Sequence, residues 1–564
     1  MNTQPKELNI KRMMILLLVI SAIVRGVLAM WMELGNDEVY YWTYALYPDW
    51  SHFDHPPMVG WVIQLFTLNL LLDSEFFLRL ASVVFMTANT YVIFRLSKDL
   101  KDATTGLYAA LLYTASIYAF VITGIFIMPD TPLMLFWLLA IWMAIRYFSE
   151  LPHFKSNDAD NANTHHANAT GHDKAIYKKK ALRPFTGPQQ PSQLILFGAF
   201  AGLAMLSKYS GIFLWVGIGF YILIFNRKQL KNPYLYLSLL ISIICCLPIL
   251  YWNLKYDLVS FSFHSQRVGG GSLNFGTLGT ELAGEFLYNN PVVVVSTIIA
   301  VIAALNKRVN MGETSQRLIL CVALPMIVVF WAFSLTRPTL PHWNAPAFAI
   351  LIPLVAVWLQ DKNTGSRKVP RSITSALAVL LFTLLIGVAE IKTGFVPLDK
   401  HTEPTQLGRD DFTLDMYGWR QLGEKFADFR EQKIAEGVTS KEAGIVANQW
   451  FPLANLDYYV ARPLGMRVMG LGWPDFLHKY LWINDERGGF HLGEDFWFLT
   501  DSRYLKDPQE TYQWYFKKIE LVGTIEIERC GQPAKNVFVY TCKCLTDLPP
   551  TLQDFMAQSA AKDK

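Results

Sequence analysis

Eleven predominantly apolar stretches, each near the roughly 20 residues a helix needs to cross a bilayer, fill the first 394 residues of the chain. They run over about 12–33, 77–97, 104–127, 130–149, 192–207, 210–226, 233–252, 286–304, 316–335, 343–359 and 373–394. A chain patterned this way folds as a polytopic α-helical membrane protein. The composition agrees: of 564 residues, 52% are hydrophobic and only 17% charged, where soluble chains carry about 25% charge. That excludes intrinsic disorder and disfavours an all-soluble multidomain protein. A net charge of +4 is too small to indicate nucleic-acid binding, and six cysteines are too few for a disulfide scaffold. The first span is too long for a signal-peptide core and lacks a small-x-small exit site, so it is expected to stay. Residues 56–72 are apolar but short and open with Pro56 and Pro57, which predicts a helix lying at the interface or only partly inserted.

With eleven crossings, the loops sort into two alternating sets, one holding 23 Lys and Arg and the other only Lys208, Lys255, Arg267 and Arg337. The positive-inside rule makes the rich set cytosolic. The N-terminus then lies inside, and 34–76, 253–285, 336–342 and everything after about 395 face outward. Residues 150–191 read as a disordered cytosolic linker, in which His153, His165, His166 and His172 are better explained as solvated than as metal ligands.

Two domains are expected: a transmembrane domain over 1–394 and an outward-facing soluble α/β domain over 395–564. In the second, 417–433 reads as an amphipathic helix, 442–450 and 495–501 as strands, and 523–530 with 536–542 as a hairpin around 531–535. That hairpin would set Cys530 opposite about Val537, away from Cys542 and Cys544.

Ionisable residues beside spans are functional hypotheses by default. The outer loop 34–57 holds Asp37, Glu38, Asp49, His52, Asp54 and His55 and no Lys or Arg. Asp130, in a Pro-Asp-Thr-Pro turn, falls on the same side and suits either helix capping or function. Lys208, Arg337 and His342 are cationic groups at outer turns in a chain whose other basic residues are mostly inside. They fit an anionic ligand, with snorkelling as the alternative. Arg25 and Arg79 lie within spans and could serve that ligand or pair with acids. Carboxylates able to take a proton, beside cations able to stabilise a phosphate leaving group, suit transfer from a lipid-linked phosphate to a hydroxyl. The Gly-rich segment 253–285 reads equally as a mobile lid or a plain connector.

The ordered pieces DEVYYW (37–42), FDHPPM (53–58), MPDTPLMLFW (128–137), GLAMLSKYSG (202–211), LPHWNAPAF (340–348) and YGWRQLGEKF (417–426) carry a resemblance. In these the chain resembles the GT-C superfamily of membrane glycosyltransferases, in particular the bacterial protein O-mannosyltransferase and ArnT-like family. The resemblance implies a GT-C fold of about 11–13 transmembrane helices. It also implies inverting transfer from a polyprenyl-phosphate sugar to a lipid A or lipopolysaccharide, other envelope glycan or protein acceptor at the bacterial inner membrane. The family's catalytic base falls on Asp37, followed by Glu38, and its second outer acid on Asp130. Asp54-His55-Pro56 stands where ArnT-like proteins carry an acidic-basic-Pro sequence whose basic member helps hold the donor phosphate. Lys208 falls on a family Lys in a similar Ser/Thr-Lys-aromatic setting, and Arg337 and His342 match the outer turn that meets the donor phosphate. Some relatives use a divalent ion, which Asp37 and Asp130 could hold; none is predicted here. Rival classes are a lipid-linked-sugar transporter or flippase, which would show inverted repeats and broken helices at mid-membrane, and an oligosaccharide ligase.

Overall fold

The computed structural model describes residues 9–149, 190–268, 272–363 and 368–555. The polar stretch 150–191 with its four histidines lies outside the described residues, apart from its last two positions. The first half of the bundle comprises α1 (Ile10–Trp31), α2 (Asn36–Leu46), α3 (Met58–Phe66), α4 (Glu75–Leu100), α5 (Ala103–Ala115), α6 (Asp130–Phe148), α7 (Pro191–Ser207) and α8 (Phe213–Phe225). It continues with α9 (Pro233–Lys255), α10 (Val259–Val268), α11 (Phe275–Tyr288), α12 (Pro291–Leu305), α13 (Glu313–Ser334), α14 (Ala345–Lys362) and α15 (Arg371–Thr393). The apolar pattern thus becomes helix at all eleven expected places. Among the described residues seven helices are individually long and apolar enough to cross a membrane: α1, α4, α6, α9, α13, α14 and α15. The protein is a multi-pass membrane protein.

Helix starts follow capping chemistry. Asn9 accepts from Arg12 N (3.0 Å) to open α1, Asp102 accepts from Thr105 N (2.9 Å) to open α5, and Asn290 precedes Pro291 at the first position of α12. Helices α6 and α14 are the inner ones, with 72% and 78% of their apolar windows buried; α15 keeps only 17% buried and leaves its apolar face to lipid. Where α7 crosses α9, Gly198 and Gly202 form a small-residue face that lets the backbones meet. Ser242 Oγ donates to Gly198 O (2.5 Å) and Ser238 Oγ to Leu194 O (2.7 Å).

Three expectations need correcting. The stretch 104–127 is not one regular helix: α5 stops at Ala115, Ser116 turns extended, and a π-helical turn follows at Tyr118–Ile122. The stretch 286–304 is broken at Asn289-Asn290, where α11 and α12 bend by 103°. Segment 253–285 is not a plain connector but largely helical, as α10 and α11, with 269–271 outside the described residues. Residues 56–72 form only the nine-residue α3, packed against α2 through Gly60, where any side chain would strike Tyr44.

After Gly394, whose left-handed φ of 60° ends α15, the chain enters a mixed α/β unit. Helix α16 (Trp419–Ala435) packs beside a five-stranded sheet of order β2-β1-β3-β5-β4. Here β1 is Gly444–Ala447, β2 Val468–Gly470, β3 Phe496–Asp501, β4 Phe516–Arg529 and β5 Gln532–Leu545. Strand β1 runs parallel to β2 and β3, and β5 antiparallel to β3 and β4. The hairpin turn is Cys530-Gly531, both at positive φ (52° and 74°), so Arg529 pairs with Gln532. The partner of Val537 is therefore Ile525, not Cys530, and all three cysteines of this unit are free.

Candidate active site

The site forms where the α/β unit closes over α2, the 48–57 loop and the ends of α6 and α7. Helix α2 starts at Gly35, whose N–H donates to Glu38 Oε2 (2.9 Å) in a capping box. Glu38 is then saturated. Its Oε1 accepts from Ile127 N (3.0 Å), and the Arg79 guanidinium grips both oxygens (Nε–Oε1 2.7 Å, Nη2–Oε2 2.5 Å). Arg79 spends its remaining donors on the carbonyls of Ala29, Met32 and Glu33. This places Arg79 in structural pairing. Arg25 donates to Ser21 and Thr87 and lies 5.2 Å from the Phe120 ring centroid.

Asp37, one residue earlier, is the opposite case. Its side chain is solvent-accessible yet densely surrounded by protein, as for a group lining a recess. Among the described residues it has no hydrogen-bond or ion-pair partner. Burial, then the charges of Asp54, Glu38 and Asp415, push its carboxyl up to about 6, with Lys208 opposing.

Asp130 does not cap α6; Pro129 holds that position without a side-chain bond. The Asp130 carboxylate instead accepts from Lys208 Nζ (2.7 Å) and from Tyr118 Oη (2.9 Å). The π turn after α5 is what delivers Tyr118, and the extended backbone ending α7 delivers Lys208. Asp54 Oδ1 accepts from Tyr40 Oη (2.9 Å) and Tyr44 Oη, which stand one turn apart on α2. Burial alone would raise Asp54, but His55, His478 and the two hydroxyls outweigh it and hold the carboxyl below its ordinary value.

The two expected histidines are not fixed cations. Burial, reinforced by Lys208, lowers His342 to about 4 against Asp130. Burial lowers His55 to about 4 as well, with Lys208 and His264 adding to it and Asp54 opposing. Both are neutral near pH 7 and offer ring N–H groups instead of charge. Arg337 is half-buried on the loop after α13, five residues before His342, its amide donating to Phe333 O (3.1 Å). Asp37, Glu38, Asp54, His55, Asp130, Lys208 and His342 therefore gather in one region. Asp130 is already neutralised by an ammonium. Among the described residues the only convergence of three metal-ligating side chains is Asp399, His401 and Asp410, in a surface loop of the α/β unit.

Sequence reading missed the groups from far along the chain. His264 on α10 donates from Nε2 to Asp54 O (2.9 Å), and His478 Nδ1 lies 3.8 Å from Asp54 Oδ2. Lys479 donates to Tyr47 O and to His52 Nδ1 (2.9 Å). Only Tyr40 and Tyr44 carried a local signal, their four-residue spacing beside the acidic pair.

A family model described as dolichyl-phosphate-mannose-protein mannosyltransferase matches residues 54–151 and 182–252, which hold Asp54, His55, Asp130 and Lys208. The lipid A galacturonosyltransferase RgtD of Rhizobium johnstonii is 19% identical over 445 residues, covering 76% of this chain and 80% of that protein. The crystal structure of ArnT from Cupriavidus metallidurans bound to undecaprenyl phosphate superposes with a TM-score of 0.57 at 14% identity, covering 93% of this chain and 97% of that one. Its apo form gives 0.56 over the same shares. The chain shares the fold of ArnT. The likeness extends to the fold as a whole, helical bundle and α/β unit together, because the match spans almost the full length of both chains.

Proposed function

We propose that this protein is a membrane glycosyltransferase that moves a sugar, with inversion, from a polyprenyl-phosphate donor to a hydroxyl of lipid A, another envelope glycan or a protein, on the outer face of the inner membrane. The observation that carries the reading is the unpaired Asp37 carboxylate beside the Asp130–Lys208 pair and the two neutral histidines. Asp37 takes the proton of the acceptor hydroxyl. The acceptor oxygen bonds to the anomeric carbon from the face opposite the phosphate. The bond from that carbon to the phosphate oxygen breaks, and its electron pair leaves with the polyprenyl phosphate. Lys208 and Arg337 balance the growing charge, while His55 and His342 donate ring N–H bonds to phosphate oxygens. A phosphate leaves without a strong general acid, so one base suffices. Glu38 and Asp54 act by holding α2 and the 48–57 loop in place and move no proton. Metal is not part of this scheme, since Lys208 already supplies the positive charge at Asp130.

The outward orientation rests on the 23-to-4 partition of basic residues between the two loop sets. The lipid A class of acceptor is supported by the likeness to RgtD. The test is mass spectrometry of envelope lipids, glycans and proteins from cells with and without the gene. The proposal expects one envelope species to lack a sugar mass without the gene, and NMR of that species from cells with the gene to show an anomeric configuration inverted relative to the donor. An unchanged envelope, or retained configuration, would overturn it.

A further inference from the structure

A recess of about 320 Å³ lies between the 46–53 loop, the C-terminal end of α9 and the short helix Tyr480–Glu486 of the α/β unit. It is at the small end of ligand pockets, which run from roughly 300 to 1,000 Å³. One wall is aromatic: Trp252 and Trp482 lie with centroids 5.5 Å apart at 36°, and Tyr256 stands edge-on to Trp482 at 5.6 Å. The remaining lining mixes apolar side chains such as Phe53 and Leu552 with polar ones. Asp49 holds Trp252 Nε1 (2.8 Å) with Oδ2, and Asp485, Glu486, His52 and Lys479 join it.

Two polar atoms here lack partners. His52 is 2% exposed, its Nδ1 is taken by Lys479, and its Nε2 bonds to nothing; Trp482 Nε1 is likewise unpaired. A buried polar atom without a partner costs roughly 1–3 kcal/mol, and a ligand in the recess whose hydroxyls reached these two would offset that cost. Three carboxylates against one lysine disfavour a phosphate. Aromatic faces with carboxylates and an imidazole suit a ring that has apolar C–H faces and hydroxyls at its edge.

We infer that this recess binds a neutral saccharide ring of the acceptor, adjacent to the sugar or residue whose hydroxyl reacts. The inference rests on the proposed function for the word acceptor, and it adds a second subsite to it. It joins the candidate site through a short chain of contacts: the His52 ring packs on Tyr44 with centroids 3.7 Å apart, and Tyr44 donates to Asp54.

The test uses the full chain in lipid nanodiscs and saturation-transfer NMR with the methyl glycosides of glucose, galactose and N-acetylglucosamine, with glucose 1-phosphate as the charged control. At least one neutral glycoside is expected to bind, and binding is expected to weaken roughly tenfold, the scale of one lost contact, in Trp482→Ala or in Asp49→Asn. Thermal melting selects the variants that remain folded; Asp49 is only half-buried, which keeps at least that one usable. Loss of binding in either folded variant supports the subsite. No binding to the unmodified protein, unchanged binding in every folded variant, or equal binding of glucose 1-phosphate overturns it. Because this readout needs no turnover, a negative result here leaves the transfer reaction standing, and an inactive enzyme leaves the subsite test intact.

Discussion

Asp37 and Glu38 are adjacent in sequence and opposite in use. Glu38 has a partner for every direction, so its removal leaves the Arg79 charge buried and alone. Losing one partner of a buried ion pair costs about 3–5 kcal/mol. Glu38→Gln is therefore expected to lower the melting temperature sharply and to loosen Ile127 and Gly35 in hydrogen exchange. Asp37 has no partner, and its carboxyl is raised to about 6 from an ordinary 3.8. The folded state then holds a proton that the unfolded state has released between those values, so stability falls as pH rises from about 4 to 6 and stays lower above. Asp37→Asn is expected to melt higher than the native protein at pH 8 and level with it at pH 4; equal melting at both would show that the carboxylate is not strained. For the same reason kcat/KM is expected to climb with pH through about 6 and then level off, since the base works deprotonated. The acidic pair was legible in the sequence as a motif, but the division of labour was not. Arg79 lies 41 residues from Glu38, and nothing local in either segment states that they meet. Nor could the sequence show that His55 and His342 are neutral, because that follows from burial and from Lys208 nearby.

At the scale of elements, the apolar stretches were readable because lipid and core both select the same residues over a helix length. Breaks were less readable, because Ser116 and the Asn289-Asn290 pair look ordinary in an apolar run. The break after α5 has a purpose visible only in three dimensions: it turns the Tyr118 hydroxyl onto Asp130. Tyr118→Phe is expected to leave the fold intact and to slow transfer, with its effect absent in an Asp130→Asn background; additive losses would separate the two residues. The contact of α7 with α9 is tighter than propensity suggests, since a side chain at Gly198 would overlap Ser238. Gly198→Val is expected to destabilise by about 1–3 kcal/mol through overpacking and to shift Lys208 at the end of the same helix. Thermal melting and the rate of transfer together check both parts. In the α/β unit, β2 was missed because three residues carry too little alternation, and the hairpin was misregistered because Cys530 adopts a conformation usual for glycine.

The whole molecule is organised by how the α/β unit seats on the bundle. Tyr459 Oη accepts from Leu34 N (2.6 Å), Trp419 N donates to Glu33 (2.8 Å), and Lys479 reaches the 46–53 loop. These contacts join the residues flanking Asp37 to a unit some 400 positions later in the chain, a pairing no local pattern announces. Tyr459→Phe leaves the buried Leu34 amide unsatisfied, a cost of about 1–3 kcal/mol. It is expected to raise hydrogen exchange at the start of α2 more than in α14. The central claim is that Asp37 is the base of a transfer from polyprenyl phosphate. The most direct measurement is the rate of polyprenyl-phosphate release by the purified protein in lipid vesicles, with its acceptor, for native and Asp37→Asn chains. The account predicts a fall of roughly a hundred- to ten-thousand-fold with the variant folded and the donor still bound; release at the native rate would contradict it.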